Sequence, residues 1–182
     1  MKKEFEVISK IIQNNKRVLD IGCGDGTLME YLRNNQHNDV RGLEPQKNLV
    51  QICISKGLSV IEGDAEKELA QFPEKSFDYV VLSQTLQAFY NPEEVLDQLL
   101  RIGKQTIVSI PNFGYWKVRI HLLFKGTMPV TKNLPNEWYN TPNLHMCTIQ
   151  DFVNFCKKKN IKIDKSMCLT NEKISEITNR NM

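Results

Sequence analysis

Nine residues constrain this chain more than any others: Val18-Leu-Asp-Ile-Gly-Cys-Gly-Asp-Gly26. A short apolar strand runs into three glycines at alternating positions. Thr27, Leu28, Tyr31 and Leu32 then follow at helical spacing. Glycine suits a backbone that must turn sharply and let a ligand come close. The helix start behind it supplies free N–H groups and partial positive charge, a match for a carboxylate.

The same rhythm continues for about a hundred residues. Phe5, Ile8, Ile11 and Ile12 mark a helix before the first strand. Val40–Leu43, Leu58–Ile61, Phe77–Leu82 and Thr106–Ile110 read as strands, with a helical face at Leu49, Val50, Cys53 and Ile54. Asn91-Pro-Glu-Glu94 reads as a helix start, with Asn91 capping, Pro92 in the first turn and Glu94 completing a capping box. Val95, Leu96, Leu99 and Leu100 then supply the buried face. Alternation at this pace predicts an α/β fold: a doubly wound, mostly parallel sheet with helices on both faces.

After Pro111 the pattern changes. Trp116 to Leu123 looks helical, and 126–142 is a long segment carrying Pro129, Pro135 and Pro142. Segments of that kind often close over or bind something. A helix at Ile149–Lys159, started by Thr148 and Asp151, and a strand at Ile161–Cys168 complete the pattern. The tail after Leu169 offers no convincing seventh strand. We therefore expect a single domain over 1–182, with a Pro-rich and aromatic lid or interface segment at about 112–147.

Composition removes several classes. Of 182 residues, 24 are basic and 21 acidic, a net +3, too mild to point to nucleic acid. Five scattered cysteines without a CxxC pair fit neither a disulfide scaffold nor a zinc site, and three isolated histidines form no metal-ligand set. No apolar run approaches the roughly 20 residues of a membrane span. The N-terminus has no signal-peptide core. The expectation is a cytoplasmic protein without metal, nucleic acid or membrane.

Three acids sharpen the glycine turn. Asp20 lies at the end of the first strand, Glu44 follows the second, and Asp64 follows the third. All fall at the carboxyl ends of neighbouring strands, where open α/β sheets bind ligands. An acid after the second strand can accept both hydroxyls of a ribose. NAD is the nearest rival ligand, but its G-x-G-x-x-G fingerprint would need glycine where Thr27 stands. The Gly26 register fits a ligand with an amino acid and a nucleoside but no pyrophosphate.

VLDIGCGDG and Phe77-Asp-Tyr-Val-Val-Leu-Ser83 resemble two motifs of class I S-adenosylmethionine (SAM)-dependent methyltransferases, a Rossmann-like family. That resemblance covers about residues 16–111. It implies that Asp20, Gly22 and Gly24 hold the methionine end of SAM or S-adenosylhomocysteine, Glu44 the ribose and Asp64 the adenine. Residues Ser83 to Gln87, with Gln84 and Gln87 as polar contacts, would form the methyl-bearing floor.

Further strings resemble a narrower family, MetW, of bacterial methionine biosynthesis. They are Leu82-Ser-Gln-Thr-Leu-Gln-Ala88, Pro111-Asn-Phe-Gly-Tyr-Trp-Lys-Val-Arg119, Met128-Pro-Val-Thr131 and Glu137-Trp-Tyr-Asn-Thr-Pro-Asn-Leu-His-Met-Cys-Thr148. Tyr115 stands where some members carry His. The resemblance implies a role beside homoserine O-acyltransferase (MetX), and names no methyl acceptor. A supporting role and methyl transfer to a small molecule both stay open. For the latter, His145 is the general-base candidate by chemistry, and the alternative is a histidine that merely holds its loop. Tyr115, Trp116, Trp138 and Tyr139 form an aromatic set suited to a pocket, a core or a protein interface.

Overall fold

The structure, a computed structural model, describes residues 2–131, 134–170 and 173–176. The chain divides into two compact units, Met1–Ile110 and Pro111–Met182.

The first unit runs α1 (Lys3–Ile11), β1 (Arg17–Ile21), α2 (Thr27–Gln36), β2 (Asp39–Glu44), α3 (Lys47–Ser55), β3 (Ser59–Glu62), α4 (Ala65–Glu68), β4 (Phe77–Ser83), α5 (Pro92–Ile102) and β5 (Gly103–Ser109). The five strands form one sheet in the order β3-β2-β1-β4-β5. Every pairing is parallel. This is the doubly wound architecture expected from the alternation. Its order reverses between β1 and β4, so the two following connections leave in opposite directions and open a crevice there.

Burial explains which strand sits where. In β1 every residue after Arg17 is buried, and β4 is nearly as buried, whereas the edge strand β3 is mostly exposed. A central parallel strand needs apolar side chains on both faces; an edge strand does not. On one face, Val18, Val40, Tyr79 and Val81 pack with Ile8 and Ile12 from the α1 segment, with Leu28, Met29 and Leu32 of α2, and with Cys53 of α3. Leu19, Val80 and Leu82 point the other way by strand alternation and are fully buried. Val95, Leu96, Leu99 and Ile102 are the buried stripe of α5.

Two starts differ from expectation. Asn91 does precede α5 with Pro92 in its first turn, but its side chain makes no capping bond. The Glu66 carboxylate takes the Asn91 backbone N–H instead, at 2.8 Å. That N–H is the group Glu94 would have reached in a capping box, so the box does not form. The short α4 carried no periodic signal because it spans a single turn.

The second unit contains α6 (Trp116–Lys125), α7 (Ile149–Lys158), β6 (Met167–Thr170) and β7 (Lys173–Glu176). Thr148 and Asp151 form a full reciprocal capping box at α7. The strand expected at 161–168 begins only at Met167 and pairs antiparallel with β7 in its own two-stranded sheet. Residues 161–164 alternate apolar and charged as a strand would. A strand also needs a ladder partner, and Lys173–Glu176 supplies one only for Met167–Thr170.

Candidate cofactor site

The glycine turn leaves β1 with three left-handed residues, Gly22, Gly24 and Gly26 at φ 68°, 60° and 75°, a conformation that side chains disfavour. Space adds a second reason at two of them. A Cβ on Gly22 would lie 3.0 Å from Thr85 Oγ1, and one on Gly26 would lie 2.5 Å from Leu58 Cδ1. At Gly24 a Cβ would meet nothing within 4 Å, so glycine there leaves open room.

That room belongs to a cavity of about 550 Å³ at the carboxyl ends of β1 and β4. Asp20, Gly22, Cys23 and Gly24 line it from β1 and the turn, Ser83 and Gln84 from β4, and Lys2, Glu4 and Phe5 from the α1 segment. Five residues singled out in the sequence are thereby brought together: Asp20, Gly22, Gly24, Ser83 and Gln84.

Asp20 is 2% exposed. Burial pushes its carboxyl up to about 7, and the neighbouring Glu44 and Glu4 carboxylates push the same way. No hydrogen bond among the described residues reaches its side chain. A buried carboxylate facing a cavity without a partner fits an incoming cation such as an amino-acid ammonium. Cys23 next to it is a packing residue: desolvation raises its thiol far above the ordinary range, which leaves no nucleophile.

Glu44, Asp64, Gln87 and His145 do not line the cavity. Glu44 is buried behind the glycine turn, with Oε2 accepting from the Gly24 N–H at 3.0 Å and Oε1 from the Gln46 N–H at 3.0 Å. It holds the turn in shape and keeps lone pairs for one further donor on each oxygen. Asp64 caps α4, accepting from the Glu66 N–H at 3.1 Å. Gln87 is buried; its Nε2 donates to the Gln84 carbonyl at 2.7 Å while its Oε1 has no partner. His145 is an exposed residue of the second unit.

The floor is held by an acid that the sequence reading passed over. Glu4 of α1 accepts from Ser83 Oγ at 2.7 Å, from Gln84 Nε2 at 2.6 Å and from Ser109 Oγ. Val18, Asp20, Tyr79, Val81 and Ser83 share the sheet face that the α1 segment packs on. Ile8 is buried in that core, and Glu4 sits one turn earlier on the same helix face. An acid four residues before a buried isoleucine was the available signal. Gln84 adopts φ 50°, and its N–H is held by the Ser109 carbonyl at 3.0 Å. A strained backbone at the mouth of a cavity is a recurrent mark of function.

The second unit carries aromatic residues on its surface. Tyr115 and Trp116 form one ring pair, and Trp138 and Tyr139 an edge-on pair at 5.7 Å. Trp116, Trp138 and Tyr139 are all exposed, as are Leu123 and Phe124 of α6. They are not core residues.

Residues 2–181 match the sequence profile of the family described as methionine biosynthesis protein MetW. The chain belongs to the MetW family. A bifunctional methionine biosynthesis protein MetXA/MetW from Rhodopirellula baltica is 35% identical over 172 residues, 89% of this chain and 27% of that protein. The MetW-family chain thus spans about a quarter of its fused relative. A demethylmenaquinone methyltransferase from Listeria welshimeri is 28% identical over 65% of this chain and 56% of that protein. Among solved structures, a SAM-dependent methyltransferase from Thermotoga maritima, described as a possible histamine N-methyltransferase, superposes with a TM-score of 0.69. It is 20% identical and covers 97% of this chain and 82% of its own. A SAM-dependent methyltransferase from Archaeoglobus fulgidus gives 0.65 at 17% identity, over 92% and 73% of the two chains. These likenesses establish the fold as Rossmann-like, of the class I methyltransferase type. Among the described residues, no helix is long and apolar enough to cross a membrane.

Proposed function

We propose that this MetW-family protein binds S-adenosylmethionine in the β1–β4 cavity and acts beside homoserine O-acyltransferase in methionine biosynthesis. The observation that carries the partnership is the fused relative, in which a MetXA portion and a MetW portion share one polypeptide. Fusion holds two modules at high effective concentration, a benefit only if they work together. The aromatic surface of the second unit, Trp116, Trp138 and Tyr139, is the proposed contact region, because exposed aromatics of this kind serve as interface anchors.

For the cofactor, the supporting observation is Asp20, a buried carboxylate with no hydrogen bond facing a cavity. Asp20 and the open room at Gly24 would take the amino-acid end. Ser83 and Gln84 would contact the region near the sulfur, and Glu44 or Asp64 the nucleoside through their remaining lone pairs. When bound, the cofactor supplies an electrophilic methyl group.

The test is the rate of homoserine acylation by the cognate acyltransferase at fixed acyl-CoA, with and without this protein. A clear change in rate is expected, and co-elution of the two proteins at micromolar concentration. Identical rates and separate elution would remove the reading. The second reading is methyl transfer to a small acceptor, favoured by the likeness to a demethylmenaquinone methyltransferase across 65% of the chain. It predicts S-adenosylhomocysteine release with some fraction of cell extract; no release over a broad acceptor panel would count against it.

A further inference from the structure

Glu4 stands apart from every motif, yet it lines the cavity, as the motif acids Glu44 and Asp64 do not. Its Oε1 accepts from the hydroxyls of Ser83 and Ser109, and its Oε2 accepts from Gln84 Nε2. A carboxylate offers about four acceptor positions, so one on Oε2 stays open. Three donors from the ends of β4 and β5 fix the group where it is, which removes the ordering cost a mobile side chain would carry. Asp20, another carboxylate on the lining, is nearly fully buried and accepts no side-chain hydrogen bond among the described residues. None of the ion pairs among the described residues involves Glu4, Asp20 or Glu44. The cation at the rim, Lys2, lies with its Nζ over the Phe5 ring, 5.4 Å from the centroid. Asp25, also on the lining, is held by Thr27 and Lys56, so Glu4 and Asp20 are the lining carboxyl groups left without an ion-pair partner among the described residues.

We propose that Glu4 is a binding residue of this cavity, pairing with Asp20 to receive the cationic amino group of the ligand's amino-acid end. This rests on the proposed binding of S-adenosylmethionine. The first turn of α1 is then part of the binding site rather than a cover on the core, and the site is specific for ligands that carry an ammonium. Nucleoside thioethers without one are poor ligands.

Glu4→Gln keeps the size of the side chain and removes its charge. Binding is measured by calorimetry for three probes: S-adenosylmethionine, S-adenosylhomocysteine and 5′-methylthioadenosine. The first two carry the amino group and the third does not. The variant is expected to bind the first two at least tenfold more weakly, and 5′-methylthioadenosine within twofold of the original protein. The unchanged probe also shows that the variant folds. Affinities unchanged for all three, or tighter, would overturn the proposal, the latter making Glu4 a plug. An equal loss for all three would make Glu4 a structural support, and a loss for S-adenosylmethionine alone would assign it to the sulfonium; both also overturn it. If the original protein binds none of the three, the cofactor reading itself falls.

Discussion

The two units of this chain solve opposite problems. The first buries its large apolar side chains in a five-stranded sheet and gathers Glu4, Asp20 and Asp25 on one cavity. The second spends regular structure sparingly and leaves large apolar groups in water; Leu123 and Phe124 of α6 are 77% and 80% exposed. Val118 is the one buried residue of that helix. An isolated exposed leucine is ordinary, whereas a helix and a loop sharing this much exposed aromatic and aliphatic surface is the usual mark of an interaction region. The first arrangement suits the small ligand proposed above, and the second the proposed protein partner.

Substitutions in the two units should therefore have separable consequences. The largest is expected in the core. Leu19→Ala removes a fully buried side chain of the central strand and should cost about 2–5 kcal/mol in denaturant unfolding. Leu123→Ala should stay within about 0.5 kcal/mol. Equal losses would end the contrast.

Next in size is Asp20→Asn, expected to weaken S-adenosylmethionine binding roughly a hundredfold, the scale of a charged hydrogen bond lost from a buried site. It should leave the proposed complex with the acyltransferase intact. The same residue sets a pH dependence. Folded, Asp20 keeps its proton up to about pH 7, against an ordinary value of 3.8. Across that window the native state binds the extra proton, so stability falls as pH rises and levels off above 7. Affinity for a cationic ligand runs the other way, rising with pH to about 7. Asp20→Asn should flatten both slopes, as urea unfolding and calorimetry at several pH values would show.

Trp138→Ala should weaken the acyltransferase complex about tenfold or more while leaving cofactor affinity unchanged, measured by co-elution and calorimetry on one preparation. If it weakens cofactor binding instead, the division of labour is wrong. The smallest effect is expected at Thr148→Ala, which breaks the reciprocal cap of α7 and should cost about 1 kcal/mol.

What could be read in advance was what neighbours in sequence decide. The glycine turn, the central strands and the Thr148–Asp151 cap each rest on residues within a few positions of one another, and all are present. What escaped depends on distant partners. Glu66 displaces Glu94 at the Asn91 N–H from 25 residues away, and no local pattern announces that. Glu4 meets Ser109 across 105 residues. Residues 161–164 have the alternation of a strand but not the ladder, because pairing is a property of two segments. Of the acids picked out beside the glycine turn, Asp20 faces the cavity, while Glu44 braces the turn and Asp64 caps a helix. Strand-end position was readable; side-chain direction, set by packing, was not.

The order β3-β2-β1-β4-β5 also bears on how the chain comes to be folded. On one side β1 meets β2 soon, Val18 pairing with Val40; on the other it waits for β4, Val18 pairing with Tyr79. Until that later stretch leaves the ribosome, one long edge of the most buried strand stands open to stray pairing. Non-local closure of this kind slows folding and favours aggregation over the interval. The cavity is assembled in the same step, since Ser83 and Gln84 arrive on the strand that seals the edge.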